Sequence, residues 1–504
     1  MRTMKRTSAR RRIYTAAVTA SVAWTAGCGI DTEVVGVVAD KDVVTLDLMI
    51  PLARGQNSEL GDVFAATAYV YITASGTDEM TNGGTGNDDI RFTVGQYHQR
   101  PAGAFAQATE GAWSGVYAAE RITAVDLQNG VDPQADPLIA RMWLNAGLAE
   151  RQLGEQFCEA VFNYGPDGGI LLENEGNYDP GVVVDADSVF RRVVTFAELA
   201  LAQADRAIAA GSPTPDDWYL FDPEVIRTSS HGLLAQAYAA LGDWTMADQY
   251  AAMVPVDHVE YTHMNPDAEE NDVYDEGHQD DDLGVWGTPA HLLWEGDPRV
   301  PFVHCGEYQP GVEPGSTTSP SAFMNLTNNP GCEMSDGVQN EYRLENNLYP
   351  RYAQMKYTSQ DDDMEMVTGT EMLLIRAEAA LNSGDLVAFT AHIDDLRAYY
   401  GLAPITQPTT AGALEYPNTE DDAWSILDRE RYLELWLEGR RFFDMRRWEH
   451  PFWSEGHYLT PTAAMENPPG PRPFSCLPLP DDECGTNPLI RESAPCAPLP
   501  PPGG

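Results

Sequence analysis

The 504-residue sequence predicts an all-α, mainly helical fold of paired helices interrupted by one long irregular region. Three observations predict it. Alanine- and leucine-rich segments at 135–159, 185–210 and 228–253 carry apolar residues at three- and four-residue intervals, the period of an amphipathic helix. One layout then occurs twice. Gly232 to Leu241 is followed by Gly242-Asp243 and a second apolar run, Ala247 to Ala251, and Ile375 to Ser383 is followed by Gly384-Asp385 and Ala388 to Tyr399. Glycine ends one helix, aspartate caps the next, and small alanines let the pair approach closely. This is the layout of a tetratricopeptide-type helix pair, whose stacked copies build superhelical scaffolds. Third, Glu430 to Trp448 reads as one helix with an apolar stripe of Tyr432, Leu433, Leu435, Trp436, Leu437 and Phe443. Its charges stand at helical spacing for local pairing: Arg431 with Glu434, Glu438 with Arg441, and Asp444 with Arg440 and Arg447.

In chain order, residues 1–27 read as an export signal. Arg2, Lys5, Arg6, Arg10, Arg11 and Arg12 precede an apolar run from Ile13 to Ala26 that is too short for a permanent membrane span. Residues 28–488 then form one domain. Glu33 to about Leu60 is a polar, β-branched leader, Ala65 to Ala74 reads as the first helix, and Ser75 to Pro101 as a polar loop. Trp113, Tyr117 and Ile122 are expected to pack the next helix. Helical repeats fill 60–254 and 353–450, an irregular region 255–352 separates them, C-terminal loops occupy 451–488, and 489–504 is a proline-rich tail expected to lack structure.

Composition narrows the chemistry. With 31 basic and 77 acidic residues, a net charge of −46, nucleic acid is excluded as a natural partner because its phosphates would be repelled. A hydrophobic fraction of 43% is ample for a large core, which excludes disorder. Six cysteines remain after Cys28, an even number that suits disulfides in an exported chain. The close pairs are Cys305 with Cys332 and Cys476 with Cys484, although spacing alone leaves connectivity open. No CxxC, HExxH or cysteine-histidine spacing marks a zinc site. Acidic runs at Asp267–Asp282 and Asp361–Asp363 do not follow the EF-hand order and read as solvated surface, so neither metal nor cofactor is expected. The absence of a GxSxG elbow, a P-loop or a zincin helix argues against an enzyme. The irregular region holds Trp286, Trp294, Phe302, His304, Tyr308 and Tyr342 among prolines, glycines and asparagines. Flat rings beside hydrogen-bonding groups suit sugars, and long irregular segments in compact proteins are usually functional. Taken singly, each ring better suits anchoring the loop to the helices than touching a ligand.

The order E-R-x-x-E-L-x-x-E-G-x-R-x-x-D-x-x-R-W, carried here by Glu430, Arg431, Glu434, Leu435, Glu438, Gly439, Arg441, Asp444, Arg447 and Trp448, resembles the C-terminal signature of the SusD/RagB family of outer-membrane nutrient-binding lipoproteins. Leu477-Pro478-Leu479-Pro480 through Glu483 to Asn487-Pro488 resembles that family's chain ending, with Leu479 in place of an isoleucine. Thr25-Ala26-Gly27-Cys28 looks like a lipobox, which implies cleavage before Cys28 and its acylation; Asp31 and Glu33 resemble a surface-export tag. The resemblance implies that the signature segment is scaffold and that ligand loops lie elsewhere. Thr77-Asp78-Glu79 resembles the motif that opens a loop near the family's binding face, which makes Asp78, Arg91 and Tyr97 candidate ligand contacts beside Trp286, Trp294 and Tyr308. The implied function is capture of an oligomeric nutrient, an oligosaccharide or a peptide, at the cell surface by a lipid-anchored outer-membrane protein, and its delivery to a SusC-like TonB-dependent transporter. A tetratricopeptide adaptor and a surface glycoside hydrolase are the readings from other classes.

Overall fold

The computed structural model describes residues 45–65, 71–84, 100–162, 164, 181–264, 270–313, 319–326, 332, 343–344, 348–414, 422–452, 476–493 and 496. The chain divides into two units, Met1–Leu48 and Met49–Gly504. In the first, the described residues form a 3-10 turn at Leu46–Leu48. The second is built on helices α1 (Met49–Ala65), α2 (Arg100–Asn129), α3 (Pro137–Gln156), α4 (Ala186–Ala210), α5 (Pro223–Ala240), α6 (Trp244–Ala251), α7 (Gly369–Asn382), α8 (Leu386–Tyr399), α9 (Ala423–Glu434) and α10 (Arg441–Arg447). From α1 to α8 each helix packs on the next, and α9 lies against both α7 and α8. The fold is thus the helical, tetratricopeptide-like one that the repeats predict. Strands occur only as two-stranded pairs among the described residues, the pair between α3 and α4 being β2 (Glu159–Phe162) with β3 (Val182–Asp185).

Small residues set the helix spacing. A Cβ added to Gly115 of α2 would stand 3.0 Å from the Met142 carbonyl oxygen of α3, and one on Gly147 of α3 would stand 2.9 Å from a Leu233 methyl of α5. Both glycine-aspartate turns close as their sequences imply. Gly242 and Gly384 adopt φ of 72° and 78°, and Asp243 and Asp385 cap α6 and α8 through the N–H groups of Met246 and of Val387 and Ala388.

Helix α3 is buried along nearly its whole length, charged residues included. Burial of a charge is tolerated only with a partner. Arg141 pairs with Glu260 at 2.6 Å, Glu150 with Arg192 at 2.6 Å, Glu155 with Arg440 at 3.2 Å, and Arg151 donates to the Met366 carbonyl at 2.7 Å.

The first helix begins earlier than the hydropathy pattern indicates. Met49, Ala53, Leu60, Val63 and Phe64 of α1 are buried at helical spacing, whereas Tyr71–Ser75 makes only a π-type turn. Polar side chains hide the period: Gln56 is itself buried and donates to the Gly111 carbonyl at 3.3 Å. On α2, Ile122 is buried, but Trp113 is 40% exposed and stacks on Tyr117 with centroids 5.4 Å apart instead of packing a neighbouring helix.

The segment Glu430–Trp448 is not one helix. Helix α9 stops at Glu434 and α10 starts at Arg441, with Leu437 at φ 60° and Gly439 at φ 73° between them. Tertiary partners replace the helical hydrogen bonds there. The Leu437 N–H donates to Glu79 Oε1 at 2.8 Å, and Lys356 Nζ donates to the Trp436 carbonyl at 3.0 Å. The break keeps the whole apolar stripe buried, because Leu435 joins the α7–α8–α9 core while Trp436, Leu437 and Phe442 enter the main one. The charges accordingly pair mainly across the fold. Asp444 keeps Arg447 at 2.9 Å, but Arg431 reaches Asp444 at 2.6 Å, Glu438 takes Lys356 at 2.6 Å, and Arg440 takes Glu371 at 3.0 Å.

The disulfides are Cys305–Cys332, Cys158–Cys476 and Cys484–Cys496. Pairing of Cys476 with Cys484, its neighbour in sequence, is therefore not the one made. The Leu477 N–H donates to the Gln156 carbonyl at 2.8 Å, which lays Cys476 beside Cys158 with their Cα atoms 5.5 Å apart.

Candidate ligand-binding surface

The Thr77-Asp78-Glu79 motif ends beneath the signature segment. Asp78 receives two hydrogen bonds from Arg441, at 2.8 and 2.9 Å, and Arg441 also donates to Asp428 at 2.5 Å. All three side chains are buried, so Asp78 ties the first loop to the signature segment. Burial alone would raise the Asp428 carboxyl, yet Arg441 and His450 hold it well below the usual carboxylate range. Next to it, burial pushes Glu79 up to about 8.

From this anchor the chain rises to the irregular region. Strand β1 (Thr81–Asn82) pairs antiparallel with β5 (Leu283–Gly284), and the Thr81 hydroxyl donates to the Trp286 carbonyl at 2.5 Å. The first loop and the irregular region are thereby brought together. Arg91 and Tyr97 lie outside the described residues.

Trp286 is half-buried, stacked on Tyr349 with centroids 5.2 Å apart and edge-on to Tyr308 at 5.6 Å. Tyr308 leans on Phe323 at 5.1 Å, and its hydroxyl donates to the Leu348 carbonyl. Tyr308 belongs to β7 (Gly306–Tyr308) and Phe323 to β8 (Phe323–Asn325), paired so that the two residues face each other. Trp294 does not join this group. It packs on Tyr432 of the signature segment at 4.8 Å and serves as an anchor.

A second set of rings lies on β6 (Phe302–His304) and β9 (Tyr352–Gln354). Phe302 and His304 alternate along β6 onto one face, and His304 stacks on Tyr352, its cross-strand neighbour, with centroids 4.1 Å apart. His291 covers Tyr352 edge-on at 4.7 Å. Burial, then His304, lowers His291, which agrees with its Nδ1 accepting from the Gly287 N–H at 2.9 Å. Glu295 lies 3.1 Å from His304 Nε2, leaving a carboxylate at the rim. Burial pushes the Tyr352 phenol up to about 12, so it stays a neutral ring with a donor hydroxyl.

Buried links hold these elements in place. Cys305–Cys332 fixes the corner between β6 and β7, where the Cys305 N–H also donates to the Arg351 carbonyl at 3.0 Å. Arg351 pairs with Asp281 at 2.8 Å, and Asp281 is held at φ 58°. Arg299 ties the end of the region to Glu430 at 2.7 Å, and Glu430 also takes Arg397 at 2.7 Å. Glu430 is thus scaffold, as the resemblance implies. The acidic run around residue 270 gathers Glu270, Asp272 and Asp275, with one carboxylate oxygen of each within 4.8 Å of the others. Burial, then Glu270 and Asp280, pushes Asp275 up to about 6.

The surface therefore presents the partly exposed rings of Trp286, Tyr308, Phe302, His291 and His304, backed by buried Tyr349, Phe323 and Tyr352, with imidazole and carboxylate groups at its edge, an arrangement suited to stacking on flat ligand faces. Sequence reading finds Trp286 and Tyr308 but misses Tyr349, Phe323, His291 and Tyr352. Period-two spacing in Phe302-Val303-His304 is the local signal that could have placed one ring face; contacts with Tyr349 and Tyr352 need the fold.

Comparisons with known proteins agree with this architecture. Residues 369–473, from α7 through α10, match the model of the SusD family. No curated protein matches the chain in sequence. Among solved structures, a SusD-like protein from Bacteroides thetaiotaomicron VPI-5482 is 12% identical, with 86% of this chain and 93% of that one covered and a TM-score of 0.55. A chitin-binding SusD homolog from Flavobacterium johnsoniae is 13% identical, covering 79% and 86% at a TM-score of 0.53. A SusD superfamily protein from Bacteroides vulgatus ATCC 8482 is 12% identical, covering 88% and 97% at 0.51. At these identities the structural likenesses concern the fold.

Proposed function

We propose that this chain, whose residues 369–473 match the model of the SusD family and whose fold is that of its SusD-like neighbours, binds an oligosaccharide nutrient at the cell surface and delivers it to a SusC-like TonB-dependent outer-membrane transporter. The observation that carries the ligand class is the pair of partly exposed rings Trp286 and Tyr308, with Trp286 stacked on the buried Tyr349, beside polar edges. A solved SusD homolog named for chitin binding supports the same class. Binding without turnover is the expected role, and no catalytic residue is assigned. Among the described residues no helix is long and apolar enough to cross a membrane.

The test is co-purification from native outer membranes followed by calorimetry against oligosaccharide and peptide panels. A transporter-sized partner and binding of one glycan class are expected, with Trp286→Ala weakening that binding at least tenfold, the scale of one lost stacking contact of about 1.4 kcal/mol. Binding of peptides alone would replace the ligand class, and turnover of any panel substrate would replace the function with an enzyme. Loss only in Arg91 or Tyr97 variants would move the site to the first loop.

Anchoring has its own measurement. Cys28→Ala should shift the protein from the membrane pellet to the soluble fraction, and mass spectrometry of the wild type should find an acylated Cys28 N-terminus. A variant that still sediments with membranes, together with an unacylated wild type, would reject the anchor.

A further inference from the structure

A different pair of strands carries a second array of rings. Strand β4 (Val259–Tyr261) pairs antiparallel with β10 (Glu365–Thr368), placing Tyr261 opposite Glu365. Alternation along β4 and its continuation separates two faces, with like-facing side chains about 7 Å apart. Glu260, Thr262 and Met264 point inward and are buried, while Tyr261 and His263 point outward and are half-exposed. Across the pair Asp363 and Glu365 share the outward face. His263 Nδ1 lies 3.3 Å from Asp363 Oδ2, and the other Asp363 oxygen accepts from the Met264 N–H at 2.9 Å.

Rings extend this face at both ends. The Tyr219 hydroxyl meets His263 Nε2 at 3.2 Å, its ring stands 5.7 Å from the imidazole, and the residue is 42% exposed. Trp218 backs the imidazole at 5.1 Å and is wedged edge-on against the buried Phe221 at 4.9 Å. At the far end Tyr399, the last residue of α8, is 50% exposed and packed edge-on against Tyr400 at 5.1 Å. Burial raises the Tyr261 phenol, and Glu365, Asp363 and Tyr399 add to that. None of these side chains belongs to the Trp286 surface.

We propose that the outer face of the β4–β10 pair, bounded by Tyr219 and Tyr399, is a second oligosaccharide-binding site. Exposed rings at both ends and His263 and Tyr261 between them offer stacking faces, and Asp363, with Glu365 held by Lys356 at 3.2 Å, accepts hydrogen bonds from sugar hydroxyls. The carboxylates disfavour a purely apolar occupant, since covering them without donors is costly. Two separate sites on one protein bind a long chain more tightly than a short one, because the second contact becomes intramolecular. This site rests on the reading that the cargo is a glycan.

Calorimetry of the full mature protein against glucan, xylan, mannan and chitin hexasaccharides and their disaccharides tests it. The double variant Tyr219→Ala/Tyr399→Ala should bind the preferred hexasaccharide about tenfold more weakly while its disaccharide affinity stays that of the wild type. Trp286→Ala should leave residual hexasaccharide binding that the triple variant loses, and Asp363→Asn, which preserves shape, should reproduce part of the defect. Circular dichroism identical to the wild type confirms that the variants fold. Wild-type hexasaccharide affinity in the double variant would overturn the second site and leave the proposed function standing. Failure of the wild type to bind any of these glycans would overturn the glycan reading and this site together. Loss in the double variant of binding to a lysine-rich peptide alone would assign the face to a peptide and overturn the site as stated.

Discussion

Arg441→Met is expected to destabilise the protein by about 3–5 kcal/mol, the usual consequence of removing one partner from a buried ion pair. Arg441 stands between two buried carboxylates, Asp78 from the chain before α2 and Asp428 from α9, and its guanidinium also lies 5.2 Å from the Tyr432 ring centroid. Methionine fills similar volume but leaves the Asp78 carboxylate without its two hydrogen bonds from Arg441, while Asp428 keeps His450 at 3.3 Å. Urea unfolding at neutral pH reads the effect. Asp78→Asn combined with Arg441→Met should recover part of the loss, because an amide costs less to bury than an unpaired carboxylate. A single variant within 1 kcal/mol of the wild type would show that this network does not hold the first loop to the signature segment.

The second large effect is a pH dependence centred on Glu79. Its carboxyl is fully buried, one oxygen accepts from the Leu437 N–H, and burial, with Asp78 adding, raises it from 4.5 to about 8. A carboxyl raised in the folded state binds its proton more tightly there than in the unfolded chain. Folding is therefore most favoured below pH 4.5 as far as this group is concerned, and its contribution falls as pH rises through the window up to about 8. The slope approaches 1.4 kcal/mol per pH unit, and the whole effect is on the order of 5 kcal/mol. Glu79→Gln keeps an acceptor for Leu437 and removes the titration. The stability difference between variant and wild type should grow steadily in the variant's favour from pH 5 to pH 8, read by urea midpoints at several pH values. Parallel stability curves would mean that Glu79 is already ionised in the fold.

Much of the scaffold was legible in the sequence. Periodicity located α3, α4, α5 and α7, because a helix that buries one face repeats its apolar residues every three to four positions whatever it packs against. The glycine-aspartate turns at Gly242 and Gly384 were legible for the same reason: a left-handed residue followed by a capping carboxylate is a local requirement. The start of α1 was not, since buried Gln56 and Asn57 look like surface residues until Asn145 of α3 is seen beside them.

The candidate binding surface divides along the same line. The aromatic content of 255–352 marked the region, and Trp286 and Tyr308 were among the residues named. Their separation from Trp294, which turns to Tyr432, depends on which element passes nearby, as does the role of Asp78. By itself the sequence determined the helices, their caps and the positions of rings and charges, all consequences of local backbone chemistry. Tertiary structure alone decided which charges meet, where the signature helix breaks and which cysteines join. Each of those depends on side chains far apart in the chain, as with Arg441 and Asp78 at 363 residues and Cys158 and Cys476 at 318, whose encounter is set by the path of the folded backbone.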